Sequence, residues 1–303
     1  VNSEEKKMEV TVLDWLEKTV NRIPNKIAFI DEDNQMSFEE LYQNAQKIGS
    51  ALVELVSLRK PVIVMSGRKV LTPACFLGVV MSGGFYAPMD ATMPIPRLLQ
   101  IFKVIEADVM IVDKEHLEIA NQLGFTGKIL VLEELIKKKE INTEKLTQIR
   151  SQMSSDMPLY TIFTSGSTGV PKGVITSHYS LMCYIDAVSE VLNIEENDRM
   201  GNQSPLDYIA AIRDIYFPIK CGASTVILPK NYFSMPAKLF EALDKYEVTA
   251  LCWSTSALII PTKMGAFECG TPKYLKKVCF SGSVMPGSVL KVWQEHLPNA
   301  LFV

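Results

Sequence analysis

From Thr164 the chain runs Thr164, Ser165, Gly166, Ser167, Thr168, Gly169 without a break, then Val170, Pro171, Lys172. A segment of this kind buries no core. The chemistry it suits is anion binding. Glycines let the backbone approach closely and adopt positive φ. Consecutive N–H groups form a concave donor surface for phosphate oxygens. Hydroxyls add donors, and Lys172 adds charge. A Walker loop would read G-x-x-x-x-G-K-[ST]. Here Pro171, which has no N–H, precedes Lys172, and Gly173 follows it, leaving no hydroxyl to hold Mg²⁺. The spacing therefore excludes that loop. A strand is expected before the run (LYTIFT), and an apolar helix directly after it, capped by Ser177 and ending near Leu192.

The elements that must position this loop follow from hydrophobic periodicity. Ser37-Phe38-Glu39-Glu40 is a capping box for a helix reaching about Val56. Strands are expected at Pro61-VIVM, Val109-MIVD, Lys128-ILVL, ASTVIL from Ala223, Val248-TALCW and Lys276-KVCFSG. Helices are expected at Pro96-RLLQIFKVIEA, from Pro236 to about Tyr246 with proline at the first helical position, and after Pro286. The polar stretch from Lys137 to Asp156 reads as a helical excursion and linker, and ALFV at the end as the start of one more strand. Alternating strands and helices predict an α/β fold with mostly parallel sheets wound on both faces. Two lobes are expected, residues 1–155 and 156–303, the second containing the glycine-hydroxyl loop.

Composition narrows the function classes. The chain has 303 residues, 48% of them hydrophobic and 21% charged, with net charge −3. Nothing in that balance points to nucleic acid or an anionic membrane. Lys137, Lys138 and Lys139 lie among Glu133, Glu134 and Glu140, as on a solvated helix face. The six cysteines have irregular spacings and no C-x-x-C pair, which suits reduced thiols and a cytoplasmic protein. His116, His178 and His296 are too scattered for a zinc site. The apolar run from Ala74 to Met89, broken by Gly83, Gly84 and Pro88, suits a buried helix and turn rather than a membrane span. The first residues are charged, with no signal-peptide core.

TSGSTGVPKG, from Thr164 to Gly173, resembles the signature phosphate loop of the adenylate-forming enzymes: acyl-CoA synthetases, luciferases and the adenylation domains of nonribosomal peptide synthetases. Gly84-FYAPMD is similar to that family's G-x-A-Y-x-P-[IL]-D segment, with Pro94 and Arg97 following. His178 and Phe280-SGSVMP also match. The resemblance spans essentially the whole chain and leans toward peptide-synthetase adenylation domains and D-alanine–carrier-protein ligases. It implies ATP as co-substrate, Mg²⁺, a carboxylic acid substrate, and transfer of the acyl group to the phosphopantetheine thiol of a carrier protein. Thr164, Ser165, Gly166, Ser167, Thr168, Gly169 and Lys172 would hold the nucleotide's phosphates, and Ser281 and Gly282 would flank the adenine. The family's Y-G-P-T-E segment, ribose Asp and C-terminal Lys are not in these residues. A truncated large domain with little activity of its own, no metal ligand and no catalytic residue is the expectation.

The resemblance also implies an acid pocket. Members that activate α-amino acids pair the substrate ammonium with an Asp at a fixed interval before the Gly of a T-G-A-like strand entry. Counted back from Gly222, that interval lands on Ile209, not Asp207. Asp214-Ile215-Tyr216 then falls into register with the family's acidic–apolar–aromatic trio. In this register Tyr208, Ile209, Ala210, Arg213, Cys252, Cys279 and Ser281 would line the pocket. Arg213 could grip a second carboxylate or a keto oxygen; alternatively its stem packs and its head reaches solvent. Cys252 and Cys279 are expected as small apolar wall residues, and Trp253 as core. An acyl-CoA synthetase and a catalytically silent nucleotide-binding module of the same fold are the alternative functions.

Overall fold

The computed structural model describes residues 9–165 and 171–303. Helix α1 (Val12–Arg22) opens at Thr11, where the Val10 and Thr11 N–H groups both donate to Asp14 Oδ2 at 2.8 Å. Strands β1 (Ile27–Ile30) and β2 (Gln35–Ser37) form an antiparallel pair that sequence periodicity does not reveal. The Ser37 capping box is present: Glu40 N–H donates to Ser37 Oγ at 3.2 Å, and Ser37 N–H to Glu40 Oε2 at 2.8 Å. It opens α2 (Phe38–Leu52), which ends at Leu52 rather than near Val56.

Strand β3 (Pro61–Met65), helix α3 (Leu71–Met81) and strand β4 (Phe85–Pro88) come next. The apolar run from Ala74 is explained by α3, which is buried all round and packs on α2. The two helices approach closely at Gly78, where a Cβ would lie 2.6 Å from the Ile48 Cβ. The chain continues through α4 (Ile95–Ile105), β5 (Val109–Val112), α5 (Leu117–Gln122), β6 (Lys128–Val131) and α6 (Leu132–Leu135). The polar excursion contains one helix, α7 (Thr143–Ser151), capped by Asn142 Oδ1, which accepts from Lys145 N–H at 3.1 Å.

Strand β7 (Pro158–Ser165) is the one expected before the glycine-hydroxyl run. The run does not lead directly into a helix, as the local pattern predicts. It leads into an antiparallel strand, β8 (Pro171–Ser177), and only then into α8 (His178–Val191). Val174, Ile175 and Thr176 are β-branched, stiff at χ1 and suited to a pleated edge, and hydrogen bonds to β7 decide their conformation. Then come β9 (Arg199–Asn202), α9 (Ile212–Cys221), β10 (Ser224–Ile227), α10 (Pro236–Lys245) and β11 (Ala250–Ser254). The chain ends with α11 (Thr255–Lys263), β12 (Lys277–Ser281), α12 (Gly287–His296) and β13 (Leu301–Phe302).

The fold is α/β, with two mostly parallel sheets flanked by helices. One is ordered β6-β5-β3-β4-β7-β8, the other β13-β12-β11-β9-β10-β1-β2. Among the described residues, only β1–β2 and β7–β8 pair antiparallel. The sheets draw strands from both sides of residue 155: β7 and β8 complete the first sheet, while β1 and β2 edge the second. Among the described residues, no helix is long and apolar enough to cross a membrane.

Candidate active site

Ligands of open parallel sheets bind beyond the carboxyl ends of the strands. The two sheets bring those ends together, and Arg68 is the joint. It stands just past β3, and its guanidinium reaches the end of β9. Nη1 donates to the Gln203 and Ser204 carbonyls at 3.1 and 2.5 Å, and Nη2 to Asn202 Oδ1 at 2.9 Å. Nη2 also donates to the Leu228 carbonyl beyond β10, at 2.9 Å. Burial lowers this guanidinium to about 10, against the pull of Asp214 and Asp207. Deeper in, the Tyr86 and Tyr216 hydroxyls meet at 3.0 Å and tie β4 to α9.

Strands β3, β4 and β7 are parallel neighbours. The carboxyl end of β7 therefore lies at the same edge of the sheet as Arg68. Thr164 and Lys172 are direct partners across the hairpin, as are Ser165 and Pro171. The Thr164 hydroxyl donates to the Lys172 carbonyl at 3.5 Å, and both side chains are exposed. Gly166, Ser167, Thr168 and Gly169 lie outside the described residues. The base of the hairpin is buried instead. His178, at the start of α8, is fully buried and accepts from Val12 N–H at Nδ1, at 3.3 Å. Burial first, then the Arg150 charge, pushes its imidazole down to about 4.

The remaining expected site residues come from the segment before α9, from α9 itself and from the ends of β11 and β12. Tyr208 and Ile209 are 57% and 48% exposed, and Ala210 is half-buried. Ser281 and Gly282 are exposed at the end of β12, Gly282 with φ of +103°. Arg213 is different. It is 5% exposed; its Nη2 donates to the Cys252 carbonyl at 3.3 Å, and its Nη1 lies 3.7 Å from the Cys279 sulfur. The alternative with its head in solvent is thereby ruled out. Trp253 is fully buried and donates from Nε1 to the Gly201 carbonyl at 2.6 Å, the core role expected of it.

Beside Arg213, Asp214 is 1% exposed. Asn202 Nδ2 donates to its Oδ2 at 2.8 Å, while Oδ1 has no partner among the described residues. Burial pushes the carboxyl up to about 7, against Asn202, Arg213 and Arg68. Asp207 belongs to another neighbourhood. Its carboxyl is raised by burial and by Asp90, and lowered by Arg68 and Lys230. A cleft of about 330 Å³ is lined by Arg68, Gln203, Pro205, Lys230, Phe233, Ser234 and Ile260, none of them expected to meet the acid. Among the described residues, no group of three or more His, Cys, Asp or Glu comes together to hold a metal ion.

Residues 16–303 match the model of one protein family, described as AMP-binding enzyme. The chain belongs to the AMP-binding enzyme family. It is 27% identical over 290 residues to a D-alanine--D-alanyl carrier protein ligase of Listeria monocytogenes, covering 95% of this chain and 56% of the ligase. It is 25% identical over 293 residues to a dimodular nonribosomal peptide synthase of Bacillus subtilis, covering 94% of this chain and 12% of the synthase. In structure it superposes on the nonribosomal peptide synthetase FmoA3 with a TM-score of 0.85 at 22% identity, covering 97% of this chain and 31% of that one. The chain thus spans little more than half of the ligase and a small part of the synthases.

Sequence reasoning missed Arg68, Asn202 and the depth of Asp214. Arg68 bonds to residues far along the chain, and nothing local distinguishes Ser66-Gly67-Arg68 from an ordinary surface turn. The one available signal was the acidic–apolar–aromatic trio at Asp214, which marked the register but not the burial.

Proposed function

We propose that this protein activates a carboxylic acid with ATP and passes it to the thiol of a carrier protein. The acid's carboxylate oxygen attacks the α-phosphorus, and pyrophosphate leaves. The carrier thiolate then attacks the acyl carbon of the mixed anhydride, and AMP leaves. Thr164 through Gly169 and Lys172 hold the phosphates, offsetting the charge that builds on them. Ser281 and Gly282 flank the base. Mg²⁺ accompanies the nucleotide; the described residues offer no three-ligand cluster for it, so no step is assigned to it.

We further propose that the acid lacks an α-ammonium group. The supporting observation is that Asp207 and Arg213 have different charged neighbours. Asp207 is drawn toward Arg68, Asp90 and Lys230, whereas Arg213 sits among Cys252, Tyr184, Asp214 and Cys279. Ile209, between them in sequence, is 48% exposed. With Ile209 in place of an acidic anchor, a buried ammonium is left unpaired, at about 3–5 kcal/mol. That is roughly two to three decades of affinity. Arg213 supplies the polar contact for a keto oxygen or a second carboxylate.

ATP–pyrophosphate exchange by the full-length protein, across α-keto, α-hydroxy, aryl and α-amino acids, tests this. Desamino acids should exceed their amino counterparts by at least tenfold. An α-amino acid as best substrate would overturn the pocket register. Loading of a carrier protein compared with CoA identifies the acceptor. Lys172→Ala should lower exchange by roughly 10²–10³; unchanged exchange would remove the hairpin from the reaction.

A further inference from the structure

Cys252 and Cys279 are direct partners on β11 and β12, which run parallel. Adjacent strands lie about 4.8 Å apart, inside the roughly 4.4–6.8 Å window for disulfide-bonded Cα atoms. Residues paired in register project to the same face of the sheet. Both side chains therefore stand side by side, and Arg213 Nη1 lies 3.7 Å from the Cys279 sulfur. No acid-binding or phosphate-binding role requires two sulfurs here. A guanidinium against one sulfur of a close pair is the arrangement that favours a reactive thiolate with a resolving partner.

We propose that Cys279 and Cys252 are a peroxide-reactive dithiol: Cys279 is the site of attack, and Cys252 closes the product to an intrachain disulfide. The Cys279 thiolate attacks one oxygen of hydrogen peroxide, the O–O bond breaks, and hydroxide leaves and takes a proton. This gives a sulfenic acid and water. The Cys252 sulfur then attacks the sulfenic sulfur, the S–O bond breaks, and the hydroxyl leaves as water with the Cys252 proton. Two thiols are oxidised, and one peroxide is reduced to water.

The remaining cysteines lack this setting. Cys75 is fully buried and its thiol is pushed up by that burial. Cys221 is also raised by burial, with Lys220 opposing. Cys183 and Cys269 are exposed. For Cys279, the neighbouring Cys252 first, and then Arg213, hold the thiol below its usual range against burial. The neighbouring Cys279 first, and then burial, hold Cys252 above it. Cys279 is 8% exposed and Cys252 1%. A peroxide-sized oxidant fits that opening better than a bulky disulfide.

The chemistry does not depend on the proposed substrate. A loss of acid activation on oxidation does rest on that reading, so the primary readout is covalent. Full-length protein is treated with hydrogen peroxide, alkylated under denaturing conditions and mapped by mass spectrometry. The expected result is a linked Cys252–Cys279 peptide pair, two hydrogens lighter and reversed by dithiothreitol. It should form with hydrogen peroxide well before it forms with glutathione disulfide. Cys252→Ser should stop at a dimedone-trappable sulfenic acid on Cys279. Arg213→Lys should retain that reaction, and Arg213→Gln should slow it roughly tenfold. Oxidation confined to Cys183 and Cys269 in the unaltered protein, with Cys279 still a free thiol, would overturn the proposal. So would Cys279 passing to the sulfonic acid with no linked peptide.

Discussion

The β7–β8 hairpin and the α9–β11–β12 cluster belong to different sheets and are built on opposite principles. At the hairpin tip, Thr164 and Lys172 are exposed, and the ordered feature is the backbone register that sets them opposite each other. At the cluster, Arg213 and Asp214 are almost wholly buried and held by partners from β9, β11 and β12. The hairpin tip can change without cost to the core. The cluster can hardly change without it. Backbone-built and side-chain-built halves of a site should therefore fail in different assays.

The largest effect should come from the joint between them. Arg68→Ala removes five hydrogen bonds and leaves carbonyls at Asn202, Gln203, Ser204 and Leu228 without this donor. A loss of about 3–5 kcal/mol is expected, read as a lower urea midpoint. A change within about 1 kcal/mol would mean that the two sheets do not depend on this contact.

Asp214 should give the cluster a pH signature. Its carboxyl titrates near 7 when folded, against an ordinary 3.8. Between those values the folded protein keeps a proton that the unfolded chain releases. Stability from this group is therefore greatest below pH 4 and falls as pH rises to 7, by up to roughly 4 kcal/mol. Urea unfolding at pH 5 and 7.5 should show the fall in the unaltered protein and its loss in Asp214→Asn.

The buried foot of the hairpin should show the opposite slope. His178 titrates near 4 when folded, against 6.5. Its contribution is complete above pH 6.5 and is lost as pH falls toward 4, by up to roughly 3 kcal/mol. His178→Gln, which can still accept from Val12, should flatten that acid limb. The smallest effect belongs to the tip. Lys172→Ala should shift unfolding stability by less than about 0.5 kcal/mol, although the same change is expected to cripple pyrophosphate exchange. A large loss of stability would place Lys172 in the scaffold and erase the contrast.

Much of the fold was legible along the chain. The Ser37 capping box, the strands at Pro61, Val109 and Lys128, and the helix opened by Pro236 all lie close to where local pattern puts them. The failures share a cause. Strand β8 reads as a prelude to a helix because its β-branched residues carry no alternation, Val174 and Ile175 both being exposed. Strands β1 and β2 are short, and a sheet assembled from distant strands holds them.

By itself the sequence determined the α/β rhythm, the glycine-hydroxyl connector and the positions of its charged partners, because propensity, capping and backbone freedom act over a few residues. Only the tertiary structure decided that Arg68 joins two sheets, that Arg213 turns inward onto the Cys279 sulfur and the Cys252 carbonyl, and that Asp214 loses its water. Those outcomes depend on desolvation and on partners far apart in the chain, and burial is a property of the packed whole that no local stretch encodes.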